Sequence, residues 1–171
     1  MALAPNKPQH ILLPVRSSTI VASFAVALLL AFLPWLDMRY VPDFVALVLV
    51  FWCVHQPRLV GLGVGWLIGL VADAGNGVLL GQHALAYALL AFFAITLSRR
   101  ILWFGAWYQA LHVAPLLLVA EAVVLLVRLA NGAALPGWQI FIGPLLGAAL
   151  WPLLSWLLLL PQRRALEAGS L

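Results

Sequence analysis

Long uninterrupted apolar runs, separated by short polar or proline-containing turns, dominate the hydrophobic pattern of this chain. The runs lack the strict alternation of apolar and polar residues that a transmembrane β-barrel strand shows. Because hydrocarbon offers no partner to backbone polar groups, helices are then the only structures that can carry such runs across a bilayer. The pattern therefore predicts an all-α integral membrane protein, a bundle of about six transmembrane helices.

The positions of the runs predict six spans in a single membrane domain. A helix needs roughly 20 residues to cross a bilayer, so the second and third spans are short. Either they cross locally thinned membrane as a tight hairpin, or they re-enter from one side without crossing. The predicted spans are residues 17–35, 42–55, 59–74, 78–97, 107–129 and 139–160, between terminal tails at 1–16 and 161–171.

Composition and charge agree with the membrane assignment and add an orientation. Hydrophobic residues make up 65% of the chain and charged residues 8%, far from the usual balance of a soluble domain. Seven of the nine Lys and Arg residues fall on one side of the six-span arrangement, and only Arg39 and Arg128 fall on the other. The positive-inside rule then places both termini in the cytoplasm. The basic residues form no stripe, so no nucleic-acid partner is predicted.

A series of small residues marks the third span. Gly61, Gly65, Gly69 and Asp73 follow one another at four-residue intervals, which puts them near one face of a helix. Small residues at this spacing let a second helix approach closely in a membrane. The neighbour is either another helix of the same chain or a helix of a partner protein, and the sequence leaves both open.

Two acidic residues fall within predicted spans. We expect Asp73 to cap the turn at residues 74–77, since Asp commonly bonds to nearby backbone N–H groups; the alternative is a pair with His83 or with a partner protein. Glu121 is the most deeply placed acid. An unpaired carboxylate is costly there, so Glu121 is a candidate either for a buried pair with another helix or for a transport role.

No pattern in the sequence indicates catalysis, a cofactor or a metal. The four histidines show no paired metal spacing, the single Cys53 lies in an apolar run, and phosphate-binding and nucleophile motifs are lacking. The five acids are scattered over separate segments, which predicts no acid and base pair. We therefore expect a protein that is not an enzyme.

Several short motifs follow one another along the chain: Pro42-Asp43-Phe44, Trp52, Pro57-Arg58, Gly61, Gly69-Leu70-Val71-Ala72-Asp73, Gly81-Gln82-His83, Trp107-Tyr108-Gln109-Ala110-Leu111 and Trp151-Pro152. Pro42 and Asp43 suit the start of a helix on physical grounds, because proline fits the first turn and a carboxylate favours the positive end of the dipole. The first span and residues 131–138 carry no such motif. Taken in this order, the motifs resemble the rod shape-determining protein MreD family.

The resemblance implies a function and partners. It implies a non-catalytic scaffold of the bacterial cell-elongation complex in the inner membrane, one that binds MreC and supports lateral peptidoglycan synthesis and cell shape. MreB, RodA and a class B penicillin-binding protein would belong to the same complex, with membrane lipid and a second copy of the chain as further contacts. The resemblance also implies a fold similar to the substrate-binding subunits of vitamin transporters.

A second hypothesis rests on the polar residues alone. Asp73, His83 and Glu121 lie within or beside the predicted spans, and ionisable residues in such places often mark a pathway for a solute or an ion. The alternative function is thus a small membrane transporter or a solute-binding subunit.

Overall fold

The computed structural model describes residues 16–33 and 41–167, the last seven of them by their backbone alone. Residues 1–15 of the predicted first tail, the end of the first predicted span and the last four residues lie outside the described residues. Within the described part all regular secondary structure is helical, which confirms the all-α fold. The helices are α1 Ser17–Ala31, α2 Phe44–His55, α3 Leu62–Gly75, α4 Gln82–Leu102, α5 Ala106–Ala130, a 3-10 turn Trp138–Phe141 and α6 Ile142–Glu167.

Three helical segments are long and apolar enough to cross a membrane: Gln82–Leu102, Ala106–Ala130 and Trp138–Leu160. The helices α1, α2 and α3 are also apolar but have only 15, 12 and 14 residues. At 1.5 Å per residue, α2 and α3 are about 18 and 21 Å long, so their shortness agrees with the sequence pattern. The number of complete crossings and the side of each terminus stay predictions.

Helix α2 forms the centre of the bundle. No residue from Val45 to Val54 is more than 4% exposed, and α2 packs against α1, α4, α5 and α6. A helix that is apolar on every side is stable when protein surrounds it completely. The indole N–H of Trp52 donates to the Ser23 hydroxyl at 2.8 Å, which ties α1 to this central helix.

The helices of the carboxyl-terminal half pack in chain order around the centre. Helix α3 packs on α4, α4 on α5, and α5 on α6. The indole N–H of the fully buried Trp151 in α6 donates to the Gln109 side chain of α5 at 3.1 Å. A buried tryptophan usually needs such a partner, because its N–H would otherwise lose a hydrogen bond to water.

The helices differ from the predicted spans at their ends, and the differences are largest for α4 and α6. Helix α4 begins at Gln82, four residues after the predicted start, because Gly81 before it adopts φ +102° and the carboxylate of Asp73 binds the first N–H groups of the helix. Helix α6 continues to Glu167, into the predicted tail. The apolar pattern marks where lipid contact ends, whereas a helix continues as long as its backbone hydrogen bonds do.

Candidate functional site

The glycine series of α3 lies against α4 of the same chain. A Cβ atom built on Gly65 would come 2.8 Å from the backbone oxygen of Tyr87, and one built on Gly69 would overlap the Cα atom of Ala84. Gly61 has no atom within 4 Å of its Cβ position. Two of the three glycines therefore permit the close approach of α3 to α4.

Asp73 follows on the same face and is completely buried. Its Oδ1 atom accepts from the backbone N–H and the ring Nδ1 of His83 at 2.9 and 2.7 Å, and its Oδ2 atom accepts from the backbone N–H of Gly81 at 2.9 Å. The expectation that Asp73 caps the turn at 74–77 is thus wrong, because its carboxylate accepts from Gly81 and His83 instead. The alternative, a pair with His83, is confirmed. Gly81 has no side chain to cap α4, so a carboxylate from α3 satisfies the N–H groups that the helix start leaves free.

Asp43 caps α2 and joins it to α4. Its Oδ1 atom accepts from the backbone N–H of Ala46 at 2.9 Å, and its Oδ2 atom accepts from the phenol of Tyr87 at 2.6 Å. The ring of Tyr87 also lies 5.7 Å from the ring of His83, one turn before it on α4. The polar residues at the starts of α2 and α4 consequently form one connected group that runs from Asp43 to Asp73.

A polar cavity of about 220 Å³ lies beside this group, between α2, α4, α5 and α6. Asp43, His83 and Tyr87 line it from one side, and Glu121 and Arg128 line it from α5. A second cavity of about 300 Å³, which reaches towards the ends of α1 and α3, shares these five residues. We call Asp43, His83, Tyr87, Glu121 and Arg128 the polar cluster.

The acids are scattered along the sequence, but three of them lie close together in the fold. Of the five acids in the chain, Asp43 and Glu121 line the same cavity, and Asp73 binds His83 at its edge. Glu121 has no ion-pair partner within 4.0 Å among the described residues, so the predicted buried pair is not formed there. Tyr87 was missed, although its position four residues after His83 places both on one face of α4.

Of the other candidate residues, Pro42 lines the second cavity beside Asp43, and the rest lie apart from the cluster. Pro57 and Arg58 are exposed in the turn between α2 and α3, at the end of α2 opposite Asp43. Pro42 packs beside α6, where Cβ atoms built on Gly143 and Gly147 would come within 4.0 Å of it. Pro152 lies inside α6 next to Trp151. No group of three or more potential metal ligands exists in the described part of the chain.

Comparisons with known proteins give one consistent result. The sequence model of the family described as rod shape-determining protein MreD matches residues 11–160. A protein of Haemophilus influenzae named rod shape-determining protein MreD is 30% identical over 148 residues, which cover 85% of this chain and 89% of that protein. No solved structure matches the chain.

Proposed function

Because the chain belongs to the rod shape-determining protein MreD family, we propose that it is a non-catalytic, multi-pass scaffold of the cell-elongation complex in the bacterial inner membrane. It binds MreC directly. MreB, RodA and a class B penicillin-binding protein belong to the same complex, which carries out lateral peptidoglycan synthesis. The observation that carries the proposal is the family match, which covers nearly the whole chain. Membership itself indicates a part in determining rod shape.

The distribution of charge supports a six-span arrangement with both termini in the cytoplasm. Arg58 lies between α2 and α3, and Arg99 and Arg100 lie in the last turn of α4. These residues belong at one end of the bundle if successive helices cross in alternate directions. Arg128, at the end of α5, then belongs at the other end together with the polar cluster. The bias agrees with the positive-inside rule and supports a position of the polar cluster on the outer side.

The surface proposed for the partner is a groove between α1 and α6. It has a volume of about 450 Å³ and almost only apolar side chains line it. Leu47 and Val48 of the central helix form its floor, so a helix in this groove would become a further neighbour of α2. The glycine face of α3 is a poorer candidate, because α4 already occupies it at Gly65 and Gly69.

The occupant that fits this groove is a single apolar helix of MreC. The groove follows α1 from Thr19 to Leu30, three turns of helix, and its far wall runs along α6 from Leu150 to Leu158. A contact of this length suits the side of a transmembrane helix, and the small residues Ala22 and Ala27 allow a close approach. In lipid, packing of this kind drives helix association because burial of apolar surface gains nothing.

Copurification with MreC from native membranes tests this proposal. Ala22 is exposed in the groove, so Ala22→Trp fills the groove without disturbing the packing of α1. We expect about tenfold less copurified MreC, because overpacking a helix contact costs about 1–3 kcal/mol. Leu29→Trp is the matched control, since Leu29 is 67% exposed and lines neither groove beside α1.

A third variant distinguishes the two sides of α1. Ala25 lines the other groove, between α1 and α3, which also measures about 450 Å³, and Ala25→Trp should leave copurification unchanged. If only Ala25→Trp removes MreC, the partner lies on the α3 side and the groove assignment is wrong. If wild-type protein retains no MreC at all, the scaffold proposal itself fails.

A second candidate function is the small transporter or solute-binding subunit. The specific observation in its favour is the polar cavity, which is lined by Glu121 and His83. Asp73 contributes less than the sequence suggested, because its carboxylate is already bound to the start of α4. In vesicles with reconstituted protein, Glu121→Gln should then abolish uptake of a solute that wild-type protein transports. Equal uptake by both proteins would exclude this function for Glu121.

A further inference from the structure

The two carboxylates that line the polar cavity have unused capacity to accept hydrogen bonds. A carboxylate offers about four acceptor positions. Asp43 uses two of them, for Ala46 and Tyr87. Glu121 accepts no hydrogen bond from any residue in the described ranges, although it is half-buried and lies two turns inside the end of α5. Both acids line the same cavity, so a ligand in that cavity can lie beside both of them.

The two basic residues of the polar cluster, His83 and Arg128, form no ion pair with these acids among the described residues. Arg128 follows Glu121 by seven residues on α5, which is about 10 Å along the helix. Among the described residues the salt bridge between His83 and Asp73 is the only one, so Arg128 forms no ion pair with Asp43 or Glu121 there. Arg128 is exposed, at the end of α5. The cavity therefore has carboxylates inside and a guanidinium at its rim.

This separation of charge selects the chemistry of a ligand. A primary ammonium has three donors and one positive charge, and two carboxylates can accept from it at once. A guanidinium at the rim favours a phosphate or a carboxylate. The cavity volume of about 220 Å³ far exceeds the about 15 Å³ that one water molecule needs. A ligand with an ammonium at one end and an anion at the other would satisfy both ends of the cavity.

We propose that the polar cavity binds a zwitterion, with its primary ammonium between Asp43 and Glu121 and its phosphate at Arg128. Ethanolamine phosphate has this chemistry, either as the headgroup of phosphatidylethanolamine or as a soluble molecule. Tyr87 positions Asp43 through its 2.6 Å hydrogen bond. The inference concerns the cavity alone and does not depend on whether MreC occupies the groove beside α1.

Lipid retention in native mass spectrometry tests the headgroup as the source. The purified chain is reconstituted in nanodiscs of phosphatidylglycerol that contain a minor fraction of either phosphatidylethanolamine or phosphatidylcholine, and is then released into detergent. We expect about tenfold greater retention of phosphatidylethanolamine, because the trimethylated ammonium of phosphatidylcholine has no N–H to donate. Equal retention of the two lipids, with no response to soluble phosphoethanolamine, would overturn the proposal.

Two variants and one further probe complete the test. Glu121→Gln should lower the retention of phosphatidylethanolamine about tenfold, since the charge-assisted hydrogen bond is lost. Glu167→Gln makes the same change at the far end of α6 and should behave as wild type. In nanodiscs of phosphatidylglycerol alone, a higher unfolding temperature with soluble phosphoethanolamine would support a soluble ligand. Unchanged binding of both probes by Glu121→Gln contradicts the site.

A loss of folding would be recognised separately. The gel-filtration profile of the Glu121→Gln protein is compared with that of wild type, and a folded protein should elute as a monodisperse species. If it aggregates, Arg128→Gln replaces it, because Arg128 is exposed and its change removes the anion end of the site. Retention by Arg128→Gln at the wild-type level would overturn the proposal. Normal copurification of MreC together with lost zwitterion binding would separate this inference from the scaffold proposal.

Discussion

The contact between α3 and α4 yields the sharpest test of the structure. Gly69→Ala adds a methyl group that overlaps the Cα atom of Ala84, and both atoms belong to helix backbones or are attached directly to them. The neighbour is not the flexible end of a side chain, so the clash is relieved only if the two helices move apart. Movement of this kind also weakens the hydrogen bonds that backbone N–H groups at the start of α4 donate to Asp73.

The expected magnitude follows from two opposing effects. Alanine in a helix interior is favoured over glycine by about 0.5–1 kcal/mol. Overpacking costs about 1–3 kcal/mol when side chains can adjust, and the cost lies at the upper end of that range here because backbone must shift. Gly69→Ala should therefore lower the free energy of unfolding by about 2 kcal/mol. Gly65→Ala should cost less, since its methyl group would come 2.8 Å from the Tyr87 oxygen.

Gly63→Ala is the matched control on the same helix. Nothing lies within 4 Å of a Cβ atom at Gly63, so only the helix preference acts and the protein should become slightly more stable. Unfolding temperatures in one detergent rank the three variants. A Gly69→Ala protein as stable as Gly63→Ala would refute the close packing of α3 on α4. If such a stable protein also failed to copurify with MreC, the glycine face would be the partner contact instead.

Two further predictions concern the polar residues that join helices. Asp73→Ala should lower the free energy of unfolding by about 3 kcal/mol, because several N–H groups at the start of α4 lose their buried acceptor; amide hydrogen exchange at Gly81 and His83 should rise, and unchanged exchange would contradict the cap. Tyr87→Phe should cost about 1–2 kcal/mol, since the bond to Asp43 is lost. An unfolding temperature of the Tyr87→Phe protein equal to that of wild type would show that the hydrogen bond to Asp43 is absent in solution.

Local chemistry was sufficient to predict the helices. Continuous apolar runs identified each one, and the Pro42-Asp43 pair marked the start of α2, where Asp43 caps the helix as a carboxylate at that position should. The glycine spacing correctly indicated one close helix contact. These features depend on residues that are near one another in the sequence, and the relevant energies act within one or two turns.

The polar cluster could not be predicted in the same way. Asp43 and Tyr87 are 44 positions apart, and Glu121 lies on a third helix. Their meeting depends on how α2, α4 and α5 are rotated about their axes, and apolar helices with little amphipathic character carry a weak signal for that rotation. The start of α4 was misplaced for a related reason, because its cap comes from Asp73 on the preceding helix.

The enclosure of α2 has a consequence for the order of assembly. The helix leaves the ribosome before α4, α5 and α6, three of the four helices that surround it, have been synthesised. During that interval lipid or the insertion machinery must cover its sides. At about 18 Å it is shorter than a bilayer core of about 30 Å. Its final position in the membrane therefore depends on packing against the helices that are synthesised after it. Truncation after α3 should therefore leave a chain that quality-control proteases degrade.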